Sequence, residues 1–192
     1  MSDRTDWELV GRARSGETGA FAELVERYQV PVIRFCRRMV GSQQDAEDIA
    51  QESFVRVYRH LHRLKPEAMF STLLFGIARN LALNFIRDSK RRGRGAAQSI
   101  TNDDASERPI TDEALRPDRT ARLREIESML EQGLALLSPD HRAVLVLREL
   151  EGLDYDAIAK ACKCRKGTVK SRLARAREQL RARLVELGGK DL

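Results

Sequence analysis

The apolar side chains of this sequence recur at helical spacing on both sides of one long interruption. They fall three or four positions apart over most of the chain, and the alternating pattern of a β-strand is nearly absent. Residues 91–119 break the pattern, because they are rich in Gly, Pro, Ser, Asp and Asn and poor in apolar side chains. The sequence therefore predicts an all-α fold, with two small helical domains at 1–90 and 120–192 joined by a flexible linker at 91–119.

Short polar signals predict where the helices of the first domain begin and end. Ser42, with Asp45 three residues further on, has the spacing of a capping box. Pro31 is expected to interrupt or kink the second helix, which starts near Ala20. The other helices of this domain are expected at about 6–14, 43–64 and 71–90.

The second domain carries the pattern of a helix-turn-helix. Ser138 precedes Pro139, a pair that favours the first turn of a helix, and Asp154 is placed to cap the next helix. A tight turn at 162–165 then leads into a last helix over about 167–187. Two helices joined by such a turn can present the second of them to the major groove of DNA.

Positive charge is concentrated at the same end of the chain. The whole sequence has a net charge of +6, from 35 basic and 29 acidic side chains. Residues 160–183 hold ten Lys and Arg and a single acid, whereas residues 1–90 hold 14 basic and 12 acidic side chains. A local excess of this kind is what binding to phosphates requires.

The last helix divides into an apolar face and a polar face. Val169 and Leu173 lie four residues apart and are expected to point into the domain. Thr168 and the backbone amides at the helix start are suited to a phosphate oxygen. The polar face, which is suited to base edges and phosphates in the major groove, consists of Lys166, Lys170, Ser171, Ala174 and Arg175.

Other classes of function lack their sequence signals. Three cysteines, Cys36, Cys162 and Cys164, are too few and too poorly spaced for a disulfide framework or a metal site. We find no nucleophile–base pair, phosphate-binding loop or dinucleotide motif. No apolar run approaches the ~18 residues of a membrane span. We therefore expect no catalytic residues, no metal, no cofactor and no membrane insertion, and we expect the protein to be cytoplasmic.

Two distant sets of motifs together resemble one family. Residues 168–172 resemble the promoter −35-reading end of bacterial RNA polymerase sigma factors of the extracytoplasmic-function (ECF) class. In the first domain, residues 45–54 look like the helix by which that family binds polymerase, and residues 77–80 look like part of its −10-reading helix. The sets occur in the family's order, with the expected linker between them.

The resemblance implies partners and residue roles. The partners would be core RNA polymerase, promoter DNA that is duplex at −35 and single-stranded at −10, and an anti-sigma factor. The side chains that would bind the polymerase clamp are Asp45, Asp48, Gln51, Glu52 and Phe54. Those that would hold the melted −10 strand are Lys65, Phe70, Arg79, Asn80, Asn84 and Arg87. Those that would bind the −35 duplex are Lys166, Thr168, Lys170, Ser171, Arg172 and Arg175.

The resemblance and the helical spacing together predict how some of these side chains are placed. Phe54 is expected to be exposed, as an aromatic anchor for the polymerase. Arg79 and the other polar residues of the fourth helix are expected to face outward, where an amide such as Asn80 can hydrogen-bond a flipped base.

The main alternative is a stand-alone helix-turn-helix regulator, whose C-terminal half would look similar. Residues 45–54 and 77–80 favour the sigma-factor interpretation, because a lone regulator needs neither motif. An enzyme is disfavoured because no carboxylate cluster converges on a histidine, and the basic last helix argues against a purely structural adaptor.

Overall fold

The computed structural model describes residues 5–93 and 117–187, and side chains from 122 onward in the second range. These ranges contain helices and no strand, which confirms the predicted all-α class. A short 3₁₀ turn occupies Leu61–Arg63. The α-helices are α1 (Asp6–Arg14), α2 (Thr18–Val40), α3 (Gln43–Arg59), α4 (Phe70–Arg91), α5 (Pro117–Ala135), α6 (Pro139–Glu149), α7 (Tyr155–Cys162) and α8 (Lys166–Glu186).

Helices α1–α4, here called the amino-terminal module, pack around aromatic side chains. Helix α2 contacts α1, α3 and α4. Phe35 meets Phe75 edge to face, with ring centroids 5.5 Å apart. At the other end of the core, Phe70 packs against both Trp7, at 6.5 Å, and Tyr28, at 5.5 Å. These rings bury a large apolar area and fix the start of α4 against α1 and α2.

Pro31 was expected to interrupt or kink the second helix. The interruption does not occur, since α2 runs unbroken from Thr18 to Val40. Proline removes one backbone hydrogen bond and crowds the preceding turn, at a cost of roughly 3 kcal/mol. Helix α2 buries Leu24 before the proline and Val32 and Phe35 after it, all with no exposed surface. Packing on both sides therefore outweighs the local preference.

The third helix is shorter than the sequence predicts. Helix α3 ends at Arg59, and the chain continues as the 3₁₀ turn rather than reaching residue 64. A distant side chain holds the segment that follows: Arg14 donates from Nε to the Leu61 carbonyl, at 2.9 Å, and from Nη2 to the Leu64 carbonyl. The Leu61 carbonyl also accepts from the Leu64 amide, so these bonds hold the 3₁₀ turn against α1.

Helices α5–α8, here called the carboxy-terminal module, pack around aliphatic side chains. Val144, Leu147, Ile158 and Val169 are completely buried, and Leu173 is 2% exposed. The turn between α7 and α8 is closed by Lys163, whose φ of 50° lies in the left-handed region. The predicted helix-turn-helix is therefore present, with Val169 and Leu173 inside as expected.

The three predicted N-cap residues are confirmed, but among the described residues the capping box at Ser42 has only one of its two bonds. Ser42 Oγ accepts from the Asp45 amide at 3.3 Å, and Ser138 Oγ accepts from the His141 amide at 3.3 Å. Asp154 accepts from the Ala157 amide at 2.7 Å, and this bond holds the pKa of its carboxyl below the ordinary value.

The two modules lie in contact through α4 and α7, and α2 also contacts α5 and α6. The approach is closest at Gly76, where an added Cβ would lie 3.3 Å from both Cα and O of Ala161. Of the predicted linker, residues 94–116 lie outside the described residues, and Arg91 completes α4. The domain boundaries drawn at 90 and 119 stay a prediction.

Candidate nucleic-acid and polymerase interface

Helix α8 presents a basic polar face beside the helix-turn-helix. The inner face buries Val169, Leu173 and Ala176, and Lys170 and Arg175 lie exposed on the outside. The N-cap residue of α8, Arg165, makes no side-chain hydrogen bond to the first turn. The first amides of a helix have no partner within the helix and attract anions. The first amides of α8 are therefore not capped by the side chain of Arg165, and their contact with a promoter phosphate stays a prediction.

Several predicted −35 residues already have partners within the chain. Lys166 Nζ lies 2.6 Å from Asp156 Oδ2, and this bond raises the pKa of Lys166. The Ser171 hydroxyl donates to the Thr168 carbonyl at 3.1 Å. Arg172 Nη2 lies 3.4 Å from Asp140 Oδ2. DNA would have to replace the ion pairs of Lys166 and Arg172 to use those two cations.

The expectation that Arg79 faces outward is wrong. Its side chain is 8% exposed and ion-paired with Asp140, at the start of α6 in the other module. A second guanidinium nitrogen of Arg79 lies 3.4 Å from Oδ1 of its neighbour Asn80. The position of Arg79 depends on the contact between modules, which the helical pattern of α4 alone does not contain.

The other −10 candidates differ in exposure. Phe70 has no exposed surface, because it packs in the aromatic core of the amino-terminal module. Lys65, Asn84 and Arg87 are exposed, and Arg87 donates to Asn84 Oδ1 at 2.5 Å. These three side chains are therefore accessible without rearrangement, whereas Phe70 is enclosed at the start of α4.

Helix α3 carries the predicted polymerase residues. Asp48 and Gln51 are exposed, Asp45 is half-buried, and Glu52 pairs with Arg56 at 2.7 Å. The expectation that Phe54 is exposed is wrong, since only 8% of it is accessible.

The exposed aromatic side chain on α3 is Tyr58, one helical turn beyond Phe54. Tyr58 is 52% exposed and lies 4.9 Å from the Phe21 ring. Together with Phe54 and Ile33 these residues line a groove of about 820 Å³ between α2 and α3. Tyr58 was not predicted from the sequence, although its i, i+4 relation to Phe54 was a usable signal.

Two residues at the contact between modules were also not predicted. Asp140 pairs with Arg79 and with Arg172, and Arg142 donates to the Met39 carbonyl at 2.5 Å and to the Ala135 carbonyl at 2.6 Å. In the sequence, Asp140 looks like an ordinary acidic residue in the first turn of a helix. Nothing local distinguishes it from one, so its second role becomes visible only in the fold.

Cys36 and Cys162 have the environment of packed side chains rather than reactive thiols. Burial raises the pKa of Cys36 to about 12 and that of Cys162 to about 11. In the part of the chain that the structure describes, no three His, Cys, Asp or Glu side chains are grouped to hold a metal ion. Among the same residues, no helix is long and apolar enough to cross a bilayer.

Known proteins combine the same two parts, a helix-turn-helix module and a second helical module. Residues 24–92 match the family described as Sigma-70 region 2, and residues 127–180 match Sigma-70, region 4. The chain is 37% identical over 184 residues to the RNA polymerase sigma-H factor of Pseudomonas aeruginosa, covering 94% of each chain. It is 35% identical over 182 residues to the ECF RNA polymerase sigma-E factor of Escherichia coli K12, covering 94% of this chain and 95% of that one.

Solved structures agree. The chain superposes on CnrH in its complex with the cytosolic domain of CnrY with a TM-score of 0.67 and 25% identity, over 95% of this chain and 99% of that chain. It superposes on RpoE of Bartonella quintana, solved with the anti-sigma factor NepR, with a TM-score of 0.62 and 23% identity, over 85% and 96% of the two chains.

The chain belongs to the RNA polymerase sigma factors of the ECF class. It is therefore a transcription initiation factor, and the stand-alone regulator is set aside, because such a regulator has no counterpart of region 2.

Proposed function

We propose that this chain binds core RNA polymerase through α3 and directs it to promoters by reading −10 with α4 and −35 with α8. The observation that supports the proposal most directly is the two-sided character of α8. Lys170 and Arg175 are exposed on its outer face, whereas Val169 and Leu173 are buried and anchor the helix in its module. The domain limits 1–90, 91–119 and 120–192 are proposed as the working units. The protein acts by binding rather than by catalysis, in the cytoplasm where polymerase works.

The −35 step is assigned to α8. Insertion of a helix into the major groove places its exposed side chains against base edges and its flanking cations against phosphates. Lys166, Thr168, Lys170, Ser171, Arg172 and Arg175 are the proposed contacts. Arg175 is the sharpest test among them, because it is exposed in the middle of the helix.

The −10 step is assigned to the polar side of α4 and the loop before it. Asn80 supplies an amide suited to the edge of an unstacked base, and the cations beside it suit the backbone of the single strand. Lys65, Phe70, Arg79, Asn80, Asn84 and Arg87 are the proposed contributors, Phe70 by positioning the first turn of α4 rather than by touching DNA.

The polymerase step is assigned to α3 and the groove beside it. An exposed acidic face with an aromatic side chain at its edge suits a basic helical partner. Asp45, Asp48, Gln51, Glu52 and Phe54 are the proposed docking residues, with Phe54 forming the floor of the groove and Tyr58 its exposed wall.

An anti-sigma protein is the third proposed partner. The support is the relative RpoE, which was solved with the anti-sigma factor NepR. At 23% identity that relative bears on the fold of this chain, and the inhibitor itself stays a prediction.

Run-off transcription over a promoter library, with purified core polymerase and this chain, tests the function as a whole. We expect RNA starting at a defined subset of promoters. If core polymerase supplemented with the chain starts no promoter-specific RNA, the proposal fails.

Two charge variants separate the polymerase step from the DNA step. Asp48→Arg is expected to abolish co-purification with core polymerase, while Glu26→Arg, the same charge change on exposed α2 surface, leaves it intact. Arg175→Ala is expected to weaken −35 binding by about tenfold or more without changing polymerase affinity. Its control is Arg183→Ala, further along the same helix. Unaltered promoter binding by the Arg175→Ala holoenzyme would show that this residue is wrongly assigned.

A further inference from the structure

The contact between the two modules brings together cations that belong to different DNA-binding surfaces. Arg79 lies on α4, the proposed −10 helix, and Arg172 lies on α8, the proposed −35 helix. Both bind the carboxylate of one residue, Asp140, which Arg79 meets at Oδ1 and Arg172 meets at Oδ2. One acidic side chain thus occupies a cation of each surface.

This arrangement is incompatible with simultaneous binding to both promoter elements. By their names the elements lie about 25 base pairs apart, which is about 85 Å of duplex at roughly 3.4 Å per pair. Two guanidinium groups that share one carboxylate are within a few ångströms of each other. The 23 residues from 94 to 116 span at most about 80 Å when extended, and the helices on either side add to that reach, so the chain allows the modules to separate.

The contact is broad enough to hold the chain closed. Gly76 allows α4 and α7 to approach until backbones nearly touch, and any larger side chain there would meet Ala161. Arg34 forms a two-bond ion pair with Glu151, at 3.0 and 3.2 Å, and Arg142 donates to the Met39 carbonyl.

The contact is also imperfect, which allows it to open. Arg79 Nε and Arg142 Nε are buried, and neither has a hydrogen-bond partner among the described residues. A buried N–H without a partner destabilises the state that contains it. A phosphate that met Arg79 in an open chain would satisfy the guanidinium more completely than Asp140 does.

We propose that the closed arrangement is a self-inhibited state, in which the Asp140 carboxylate takes the place of promoter phosphates on Arg79 and Arg172. Polymerase and DNA act on the open chain, in which α4 and α7 have separated. The proposal rests on the assignment of α4 and α8 to DNA under the proposed function, and it adds that the free factor occupies one cation of each surface with its own acid.

The chain contains a reporter of opening. Cys162, at the end of α7, is 5% exposed and close enough to Arg79, Arg172 and Asp140 to feel their charges. Cys36 lies inside the amino-terminal module with no exposed surface. Separation of α4 from α7 should therefore speed alkylation of Cys162 and leave Cys36 protected.

Two variants open the contact by different physical means. Asp140→Asn removes the shared carboxylate charge, and Gly76→Leu forces α4 away from α7 without changing any charge. Glu149→Gln is the matched control, because it removes one negative charge from the same module, from an acid that pairs with Arg177 outside the contact. All are made in the full chain.

The experiment measures two properties of each free protein. The first is the rate of iodoacetamide alkylation at each cysteine, read by peptide mass spectrometry. The second is affinity for a fluorescein-labelled duplex of about 20 base pairs and mixed sequence at low salt, where phosphate contacts dominate. We expect Cys162 alkylation and duplex affinity to rise about tenfold in both opening variants, within the usual range of coupling between sites.

The outcomes decide the proposal. Wild-type values for either property in both opening variants overturn it, and so does an equal gain in Glu149→Gln. An effect confined to Asp140→Asn also overturns it, because loss of a negative charge beside the thiol and the DNA site would then explain the result. Failure of run-off transcription would contradict the proposed function instead. The alkylation rates would still report whether the two modules are in contact.

Discussion

The two modules of this sigma factor build their cores from different side chains. All six Phe residues and the single Trp of the chain lie before residue 90, and rings interlock at both ends of the amino-terminal core. The carboxy-terminal core is aliphatic, and α8 contributes only Val169, Leu173 and Ala176 to it as fully buried residues. The outer face of α8 is polar and exposed, so this helix adds less buried apolar surface to its core than its length would allow.

This difference predicts unequal stability, which the position of Trp7 makes measurable. Trp7 Nε1 donates to the Ala68 carbonyl at 3.0 Å and its ring packs on Phe70, so its fluorescence reports the amino-terminal module alone. Circular dichroism reports helices of both modules. We expect the carboxy-terminal module to unfold at a lower urea concentration than the amino-terminal module. Part of the circular dichroism signal should therefore be lost before the Trp7 fluorescence changes.

The largest expected effect is that of Phe35→Ala. Phe35 has no exposed surface and packs against Phe75, so its truncation leaves a cavity in the aromatic core. We expect the free energy of unfolding of the amino-terminal module to fall by about 4 kcal/mol. The measurement is the urea midpoint of Trp7 fluorescence. A loss below about 1 kcal/mol would mean that the core can collapse around the cavity, against the view that it is tightly interlocked.

The matching truncation in the other module is Leu173→Ala. Leu173 is 2% exposed and lies on α8, which packs mainly against α5, α6 and α7 of its own module. We expect a loss of about 3 kcal/mol in the carboxy-terminal transition seen by circular dichroism. The Trp7 transition should keep its midpoint. If that midpoint moves by as much as the other, the modules unfold as one unit and the comparison between them fails.

Equal effects are expected where the two modules use the same device. Ser42 and Ser138 cap α3 and α6 with hydrogen bonds of the same length, 3.3 Å. Each Ser→Ala variant should lower stability by about 1 kcal/mol. Ser42→Ala should move the fluorescence transition and Ser138→Ala the circular dichroism transition. A cap whose loss moved the transition of the other module would contradict the assignment of helices to modules.

The features that the sequence predicted correctly are those fixed within a few residues. A cap joins residues three apart, so Ser42, Ser138 and Asp154 could be recognised as caps from their neighbours alone. Val169 and Leu173 could likewise be assigned to the inner face of α8, because apolar residues four positions apart share one side of a helix.

The features that the sequence did not predict depend on distant partners. The 3₁₀ turn after α3 is held by Arg14, which binds a carbonyl 47 residues away, and Arg79 is ion-paired with a partner 61 residues away. No local pattern contains those pairings. The exposed Tyr58 was missed for a different reason, since its helical relation to Phe54 was present in the sequence and the motif drew attention to Phe54 instead.

The smallest expected effect concerns the ends of two helices. Gly41 ends α2 with a φ of 83°, and Lys163 ends α7 with a φ of 50°. A side chain in the left-handed region costs roughly 1–2 kcal/mol, which glycine avoids. Glycine in turn loses more entropy on folding, by about 0.4–1 kcal/mol. The difference predicts that Lys163→Gly stabilises the carboxy-terminal module by about 0.5 kcal/mol, whereas Gly41→Ala destabilises the amino-terminal module.

The same variant tests whether the strained position serves DNA binding. Lys163 is exposed beside the start of α8, where its charge can add to the field that attracts phosphates. Lys163→Gly should therefore gain stability and lose duplex affinity at low salt, and Lys163→Ala, which removes the charge but keeps a Cβ in the left-handed region, separates charge from strain. A glycine variant that is less stable than the wild type would show that the turn gains more from its lysine than the backbone strain costs.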